Sequence, residues 1–267
     1  MTLYEPVDTL KEVIAKKGPM VIAFSGGVDS SLLSLLAKET LGNQHLCILL
    51  DSPLVPQHSI EQAKKISNEF DLNFEILPFK ALNKSGIVDN PKDRCYHCKK
   101  ASSQLLKCYA LNKGFNCIAD GTNLSDLGEY RPGLAAGEEE NIAHPFVDAE
   151  ISKPDIRKIA KERGYDFWNL PSSSCLASRI PYNEILTEDK LKKVDKAENL
   201  LSSFGFTQGR VRLHGKGAIA RIEISDKELE SFLNYRKNVV SELKDLGITY
   251  ITVDIEGYRS GSMDEIL

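Results

Sequence analysis

A glycine-containing loop near the N-terminus has the residue types of a phosphate site. Residues 25–31 read Ser-Gly-Gly-Val-Asp-Ser-Ser, between an apolar strand-like segment and an apolar helix-like segment. Glycines let phosphate oxygens approach the backbone closely, and a helix N-terminus adds N–H groups and the positive end of its dipole. A plain strand–turn–helix joint is the alternative, but the whole string favours a nucleotide site. Its predicted members are Ser25, Gly26, Gly27, Asp29, Ser30 and Ser31.

The same loop differs from a Walker A motif. It has no Gly-Lys-Ser/Thr ending and therefore no lysine to neutralise a transferred γ-phosphate. The hydroxyls of its serines add donors for phosphate oxygens, and Asp29 is predicted to hold a magnesium ion or to orient the loop. The chemistry that these residues favour is binding of the pyrophosphate end of a nucleotide.

Three of the six cysteines are predicted metal ligands: Cys95, Cys98 and Cys175. The first two form a C-x-x-C pair, whose spacing places both sulfurs on one side of a turn. Three thiolates with an open fourth position suit a 4Fe–4S cluster, but zinc completed by His97 or His144 also fits, because spacing does not select the metal. A redox dithiol and unrelated thiols are the remaining interpretations. The other cysteines have apolar neighbours and are predicted to be buried hydrophobes: Cys47, Cys108 and Cys117.

Strand-like and helix-like segments alternate through the first 180 residues. Strands that are apolar throughout and alternate with helices indicate a parallel sheet covered on both faces, so we predict an α/β fold with a doubly wound parallel sheet. Ligands of such sheets bind at the carboxyl ends of the strands, which adds Asp51 and Gly121 to the nucleotide site. The predicted strands are 20–24, 45–50, 73–77, 116–120 and 141–146, and the predicted helices are 6–17, 30–41, 59–70, 95–112 and 152–163.

The pattern changes near Pro181, where we place a domain boundary. Residues 1–180 form the predicted nucleotide-binding domain, and residues 181–267 form a smaller α+β domain for substrate binding or oligomerisation. Arg210 and Arg212 alternate on a strand of this second domain, so both guanidinium groups point to the same side and form a fork for a phosphate. Two solvated arginines are the alternative. The predicted elements are helices 187–204 and 226–246 and strands 210–214, 218–224 and 250–255.

Composition restricts the class of protein. The formal net charge of −4 and the pI of about 5.8 argue against a dedicated nucleic-acid binder. The first 17 residues contain three acids and no apolar run, and no segment approaches the roughly 20 apolar residues of a membrane span. We therefore expect a cytoplasmic protein with no membrane partner, whose cysteines are thiols or metal ligands rather than disulfides.

The loop sequence Ser-Gly-Gly-Val-Asp-Ser resembles the signature of the PP-loop ATP pyrophosphatases. The resemblance covers about the first 180 residues in order and spacing. It implies ATP and Mg²⁺ as reactants and cleavage of ATP between the α and β phosphates. AMP is joined to a carboxylate or carbonyl oxygen of the substrate, and a nitrogen or sulfur nucleophile then displaces it.

A further set of motifs is spread over nearly the whole chain: 120–123 (Asp-Gly-Thr-Asn), 130–134 (Tyr-Arg-Pro-Gly-Leu), 175–182, 210–214, 220–223 and 257–261. In combination these motifs resemble the LarE family. LarE enzymes insert sulfur into a pyridinium biscarboxylate mononucleotide during synthesis of the nickel-pincer nucleotide cofactor. One branch of the family sacrifices the sulfur of a single cysteine matching Cys175, whereas a second branch carries a three-cysteine 4Fe–4S cluster. This sequence has all three cysteines and resembles the second branch.

The LarE resemblance also implies roles for individual residues. Cys175, Asp29 and Lys99 are the candidate catalytic residues, with Lys99 near the activated carboxylate. The substrate phosphate is held by Ser178, Arg210 and Arg212, with Arg259, Tyr130 and Arg131 as further anion contacts. Glu198 and Glu223 match acidic residues proposed to bind a divalent ion.

The sequence thus predicts an ATP-dependent sulfur transferase with a pyridinium mononucleotide as substrate and sulfide or another sulfur donor as co-substrate, and we expect a homo-oligomer. A PP-loop tRNA thiolase with a similar cluster is the nearest alternative, disfavoured by the acidic pI and the lack of an added RNA-binding domain. An ammonia-dependent ligase would have no use for the three cysteines. A zinc-stabilised, non-catalytic nucleotide-binding module is the alternative from a different class.

Overall fold

The computed structural model describes residues 4–128, 132–206, 208–259 and 261–265, so the predicted anion contacts Tyr130 and Arg131 lie outside the described residues. The strands are β1 (Met20–Ala23), β2 (His45–Asp51), β3 (Phe74–Pro78), β4 (Cys117–Ala119), β5 (Arg210–His214), β6 (Ile219–Glu223) and β7 (Tyr250–Val253). The helices are α1 (Tyr4–Lys17), α2 (Val28–Leu41), α3 (Gln57–Glu69), α4 (Ser85–Val88), α5 (Arg94–Asn112), α6 (Pro132–Glu139), α7 (Pro145–Asp148), α8 (Lys153–Glu162), α9 (Glu188–Ser203), α10 (Leu229–Asn234) and α11 (Arg236–Asp245).

The first four strands form one parallel sheet in the order β3-β2-β1-β4. Its central strand β1 pairs with β2 on one side, Val21 opposite Leu46, and with β4 on the other, Val21 opposite Ile118. Helices flank the sheet, which explains why its strands are apolar on both faces. The predicted α/β fold with a parallel sheet is confirmed.

One face of this sheet packs against α5. Val21, Leu46 and Ile118 from the strands form a buried cluster with Leu106 and Ala110 of the helix. The two helix residues are four apart, so they lie on the same helix face. This packing fixes α5, and with it the residues of its first turns, relative to the carboxyl edge of the sheet.

The predicted fifth strand at 141–146 is wrong. A single bridge joins Ala143 to Ala119, and α7 begins at Pro145. Proline has no N–H for a strand ladder and is favoured in the first turn of a helix. The bridge nevertheless places the segment around Ala143 beside the end of β4.

The remaining strands form a second sheet in the order β5-β6-β7, with β5 antiparallel to β6 and β6 parallel to β7. The predicted continuous helix 226–246 is wrong, because it is divided into a short 3₁₀ turn, α10 and α11. The break falls at Tyr235, whose ring packs 5.0 Å from that of Phe204 and 5.7 Å from that of Phe206.

The chain divides into two compact units. The first comprises Met1–Ser52, Gln57–Phe79 and Asp93–Ser173 and contains the parallel sheet. The second comprises Pro53–Pro56, Lys80–Lys92 and Ser174–Leu267. The long C-terminal segment of the second unit thus begins at Ser174, seven residues before the predicted start of the second domain at residue 181. In the part of the chain that the structure describes, no helix is long and apolar enough to cross a membrane.

Candidate active site

The glycine loop joins β1 to α2 and is held by its own serines. The Ser30 hydroxyl donates to the Gly27 carbonyl at 3.2 Å and accepts from the Ser25 N–H at 3.2 Å. Gly26 has a φ of +71°, and a Cβ built there would lie 2.7 Å from the backbone of Ala63 in α3. Only glycine fits this position without displacing α3. The first N–H groups of α2 have no carbonyl partner within the helix, which makes this end a suitable anion site.

The other predicted nucleotide contacts differ in their accessibility. Ser25 is exposed and Asp51 is exposed at the carboxyl end of β2. Gly121 follows β4 and packs directly on the start of α2, where a Cβ would lie 2.9 Å from Cβ of Asp29. The Ser31 side chain is fully buried, and its hydroxyl has no hydrogen-bond partner among the described residues. The prediction for Ser31 therefore has the weakest structural support of the set.

Asp29 has a partner that the sequence pattern did not predict. The Lys153 ammonium, at the start of α8, lies 2.5 Å from both carboxylate oxygens of Asp29. Burial raises the pKa of Asp29, and the hydrogen bond and charge of Lys153 partly offset that effect. The loop thus has a lysine nearby, supplied by a distant segment. The sequence around Lys153 predicts the start of a helix, because Ser152 is the N-cap. No periodicity or motif there indicates a contact with the glycine loop.

A second lysine–aspartate pair lies at the carboxyl end of β4. Lys99 of α5 donates to Oδ2 of Asp120, and Nδ1 of His144 lies 2.7 Å from Oδ1 of the same carboxylate. Burial opposes ionisation of Asp120, but the hydrogen bond from His144 and the charge of Lys99 outweigh it, so the pKa of Asp120 lies well below its ordinary value. Lys99 was predicted from the family resemblance, whereas Asp120 and His144 were not assigned this contact.

Two of the three predicted metal ligands lie in the first turns of α5. Cys95 is exposed, Cys98 is half-buried, and the Arg94 guanidinium lies 3.6 Å from Sγ of Cys95. Their i, i+3 spacing places both sulfurs on one side of the helix, which suits thiolate ligation. Cys175 is half-buried and belongs to the second unit. Within the described ranges, no three His, Cys, Asp or Glu side chains are grouped to hold a metal ion.

The histidines that would complete a zinc site have other partners. Nε2 of His97 lies 3.1 Å from the Asp93 carboxylate, and His144 contacts Asp120. All six cysteines lie in described ranges, and none of them forms a disulfide there. Cys47 is buried as predicted, and burial raises its pKa to about 12. The burial predicted for Cys108 is wrong, because its side chain is exposed on α5, and Cys117 is half-buried.

In the second unit, Arg179 holds the segment that carries Cys175. Its guanidinium is almost fully buried and donates to the Cys175 carbonyl at 3.0 Å, to the Ser178 hydroxyl at 2.9 Å and to both carboxylate oxygens of Glu198 at 2.9 and 3.0 Å. Glu198 also accepts the Val211 N–H of β5 at 3.1 Å. This network ties Cys175 and Ser178 to the strand with the two predicted phosphate-binding arginines.

Those two arginines lie on one side of β5 but have different surroundings. Arg212 is buried, donates to Glu223 at 2.8 and 3.1 Å and reaches the Ser178 carbonyl at 3.1 Å. Arg210 is half-buried over the ring of Tyr258, and burial lowers its pKa. Arg210, Arg212 and Ser178 are thus brought together in one unit.

The remaining predicted polar residues are engaged by protein partners. Glu223 is completely buried and also accepts from Ser262 at 2.5 Å. Arg259 pairs with Glu256 at 2.9 Å and with Glu265 at 3.0 Å. In this structure, Glu223 binds arginine and serine groups, and the charge of Arg259 is balanced by neighbouring acids.

The chain is similar to several known proteins. The NAD synthase family profile matches residues 3–106. The chain is 33% identical over 267 residues to pyridinium-3,5-bisthiocarboxylic acid mononucleotide synthase of Lactiplantibacillus plantarum, covering 100% of this chain and 96% of that protein. It is 33% identical to an uncharacterised protein of Synechocystis sp., covering 99% of each chain. An uncharacterised protein of Methanocaldococcus jannaschii is 34% identical over 253 residues, which is 95% of each chain.

A parallel sheet with the Ser-Gly-Gly-Val-Asp-Ser loop after its central strand, together with the NAD synthase match, defines a PP-loop domain of the ATP-pyrophosphatase type. Because the similarity to the Lactiplantibacillus synthase extends over the full length, the chain belongs to the LarE family. The family membership predicted from the motifs is confirmed.

Proposed function

We propose that this protein is an ATP-dependent sulfur transferase that adenylylates a carboxylate of pyridinium-3,5-biscarboxylic acid mononucleotide, releases pyrophosphate and replaces the activated oxygen with sulfur. The observation that carries the proposal is the full-length similarity to the synthase, which includes both the glycine loop and the second unit with Cys175 and the β5 arginines.

The first half-reaction uses the first unit. The N–H groups of the glycine loop bind the β and γ phosphates, and the substrate carboxylate attacks the α-phosphorus, with pyrophosphate as leaving group. Lys99 stabilises negative charge near the reacting carboxylate, as a preorganised cation does in a transition state. Lys153 lies beside the loop and can neutralise phosphate charge. The Asp29 carboxylate now binds the Lys153 ammonium. When this contact opens, Asp29 would be a suitable ligand for Mg²⁺, which would withdraw charge from the departing pyrophosphate.

The substrate phosphate is assigned to the second unit. Arg210 and Arg212 supply guanidinium donors, and Ser178 supplies a hydroxyl on the segment that Arg212 contacts. Arg210 is the more available of the two, because Arg212 already binds Glu223. Arg259 remains a predicted anion contact, but its guanidinium is less available because it pairs with Glu256 and Glu265.

The sulfur step is assigned to Cys95, Cys98 and Cys175. The three thiolates would hold a 4Fe–4S cluster, which would supply sulfide for the replacement of AMP on the activated carboxylate. The soft thiolate ligands and the i, i+3 spacing of Cys95 and Cys98 support an iron–sulfur cluster, and zinc is the competing metal.

The test is an anaerobic purification followed by iron, sulfide and zinc analysis and a turnover assay with ATP, the mononucleotide and sulfide. We expect about four irons per chain, equal amounts of pyrophosphate and AMP, and a product heavier than the substrate by the difference between sulfur and oxygen. The Cys175 peptide should keep its mass after several turnovers.

Three results would contradict this proposal. One zinc per chain would favour the zinc-stabilised module. Loss of hydrogen sulfide from Cys175 after one turnover would favour the sacrificial mechanism. Tight tRNA binding without mononucleotide-dependent pyrophosphate release would favour the thiolase.

A further inference from the structure

The Lys99 ammonium is held by a buried carboxylate that is itself held from two other directions. Asp120 directly follows β4 and is 6% exposed. Its Oδ2 accepts from Lys99, and its Oδ1 accepts the Thr122 N–H at 3.0 Å and contacts Nδ1 of His144 at 2.7 Å. A carboxylate with three partners has little freedom to rotate, so it fixes the direction of the hydrogen bond that it accepts from the Lys99 ammonium.

His144 is placed beside Asp120 by the backbone. The Ala143 N–H donates to the Ile118 carbonyl at 2.8 Å, and the Asp120 N–H donates to the Ala143 carbonyl at 3.1 Å. Because an ionised carboxylate only accepts, Nδ1 of His144 carries the proton in this contact. Nε2 of His144 is buried and has no hydrogen-bond partner among the described residues, so the ring acts on Asp120 through Nδ1.

The same cluster borders the glycine loop. Gly121, the next residue after Asp120, packs against the start of α2, where a Cβ would lie 3.0 Å from the Ser30 nitrogen. Helix α6 covers the opposite side, where a Cβ on Gly137 would lie 3.5 Å from Cε of Lys99 and 3.7 Å from the His144 ring. The Lys99 side chain is 28% exposed, so it is not sealed inside the core.

From these contacts we infer that Asp120 and His144 are positioning residues, which hold the Lys99 ammonium beside the glycine loop for the adenylylation step. The inference rests on the proposed function for the role of Lys99. A purely structural ion pair would contribute to stability without directing the ammonium, and the following experiment separates the two roles.

The experiment compares Asp120→Asn, His144→Leu and His144→Asn. Asparagine at 144 keeps an N–H donor near the position of Nδ1, whereas leucine removes it. Lys107→Met is the matched control, because Lys107 is also on α5, is ion-paired with Glu140 at 2.7 Å and is 33% exposed. Two readouts are used: kcat and KM for ATP in pyrophosphate release, and the rate at which acetic anhydride labels Lys99 relative to Lys107, measured by mass spectrometry.

We expect Asp120→Asn and His144→Leu to lower kcat by about tenfold or more, since a misplaced catalytic group costs rate, while KM for ATP stays nearly constant. Relative labelling of Lys99 should rise about threefold as the ion pair weakens. His144→Asn should keep both kcat and the relative labelling of Lys99 close to the wild-type values. Lys107→Met should match the wild type in kcat.

Equal losses in His144→Leu and His144→Asn would overturn the inference, as would unchanged kcat or unchanged Lys99 labelling in Asp120→Asn. If Asp120→Asn does not fold, the two His144 variants decide. A wild-type protein that releases no pyrophosphate with the mononucleotide would refute the proposed function instead. The labelling ratios would still show whether Asp120 and His144 hold Lys99.

Discussion

The Lys153 ammonium lies 2.5 Å from both carboxylate oxygens of Asp29, although 124 residues separate the two along the chain. The contact joins the start of α8 to the start of α2 in the first unit. A cation at this position balances the Asp29 carboxylate, and under the proposed function it would also contact the phosphate oxygens of ATP. The loop therefore has a neighbouring lysine without having a Walker A lysine of its own.

Replacing Lys153 tests this relationship. We expect Lys153→Met to lower pyrophosphate release by about tenfold or more, because a preorganised cation is lost. Lys153 lowers the pKa of Asp29 against the dominant effect of burial, so its removal should raise that pKa further. The acid limb of the pH–rate profile should then move to higher pH. Lys158→Met, an exposed lysine on the same helix, is the control, and an unmoved acid limb would contradict the assignment.

The two loop glycines should respond differently to alanine. Gly26→Ala should abolish most pyrophosphate release, because a left-handed alanine costs about 1–2 kcal/mol and its methyl would meet the backbone of Ala63. Gly27 has an extended φ of −78°, and a Cβ there would lie 3.4 Å from the Ser25 hydroxyl. Gly27→Ala should therefore retain more activity. Steady-state ATP kinetics with a thermal unfolding control would check this, and equal effects of both changes would contradict it.

The two β5 arginines should separate substrate affinity from stability. Arg210→Ala should raise the substrate Kd by roughly thirtyfold, equivalent to ~2 kcal/mol for a lost charged contact, with ATP affinity unchanged. Arg212→Ala should in addition lower the free energy of unfolding, because the buried Glu223 loses a partner. Calorimetric titration and urea unfolding measure the two effects. The exposed Arg236→Ala on α11 is the control, and equal substrate binding by the Arg210 variant would refute the phosphate assignment.

The Arg179–Glu198 pair should show strong coupling. Arg179→Met leaves a buried carboxylate unpaired and should lower the free energy of unfolding by about 3–5 kcal/mol. Replacing both residues, with Glu198→Leu as the second change, should cost less than the two single changes added together, because no buried charge then remains. Urea unfolding of the four proteins completes the cycle. Additive effects would show that the pair does not act as a unit.

Asp120 should contribute a pH-dependent part of stability. Its pKa is lowered in the folded state from an ordinary value of 3.8, so the unfolded chain binds the proton more tightly. Its contribution is fully present above about pH 4 and is lost as the pH falls toward the folded pKa, by up to about 1.4 kcal/mol per pH unit. The stability gap between wild type and Asp120→Asn should therefore narrow below pH 4. Asp189→Asn, whose side chain is 71% exposed, should show no comparable narrowing, and a constant gap for Asp120→Asn would contradict the prediction.

Local pattern was enough to predict the parallel sheet and the glycine loop. Strands β1 and β2 are apolar because both faces of the sheet are covered, and that burial is visible as a short apolar run in the sequence. The loop requires glycine at Gly26, where φ is positive, so the loop can also be recognised from the local sequence. The metal, the sulfur donor, oligomerisation and the cytoplasmic location remain predictions.

The partners of the site residues were decided only by the tertiary structure. Asp29 meets Lys153, Lys99 meets Asp120 and His144, and Arg179 meets Glu198 because packed helices and strands bring separate segments together. Periodicity identifies which face of an element is buried, but it carries no record of which distant side chain lies opposite. The sequence by itself therefore determined the four strands of the parallel sheet and the residues able to do chemistry. The fold determined their pairing, because a hydrogen bond depends on distances of about 3 Å that only packing sets.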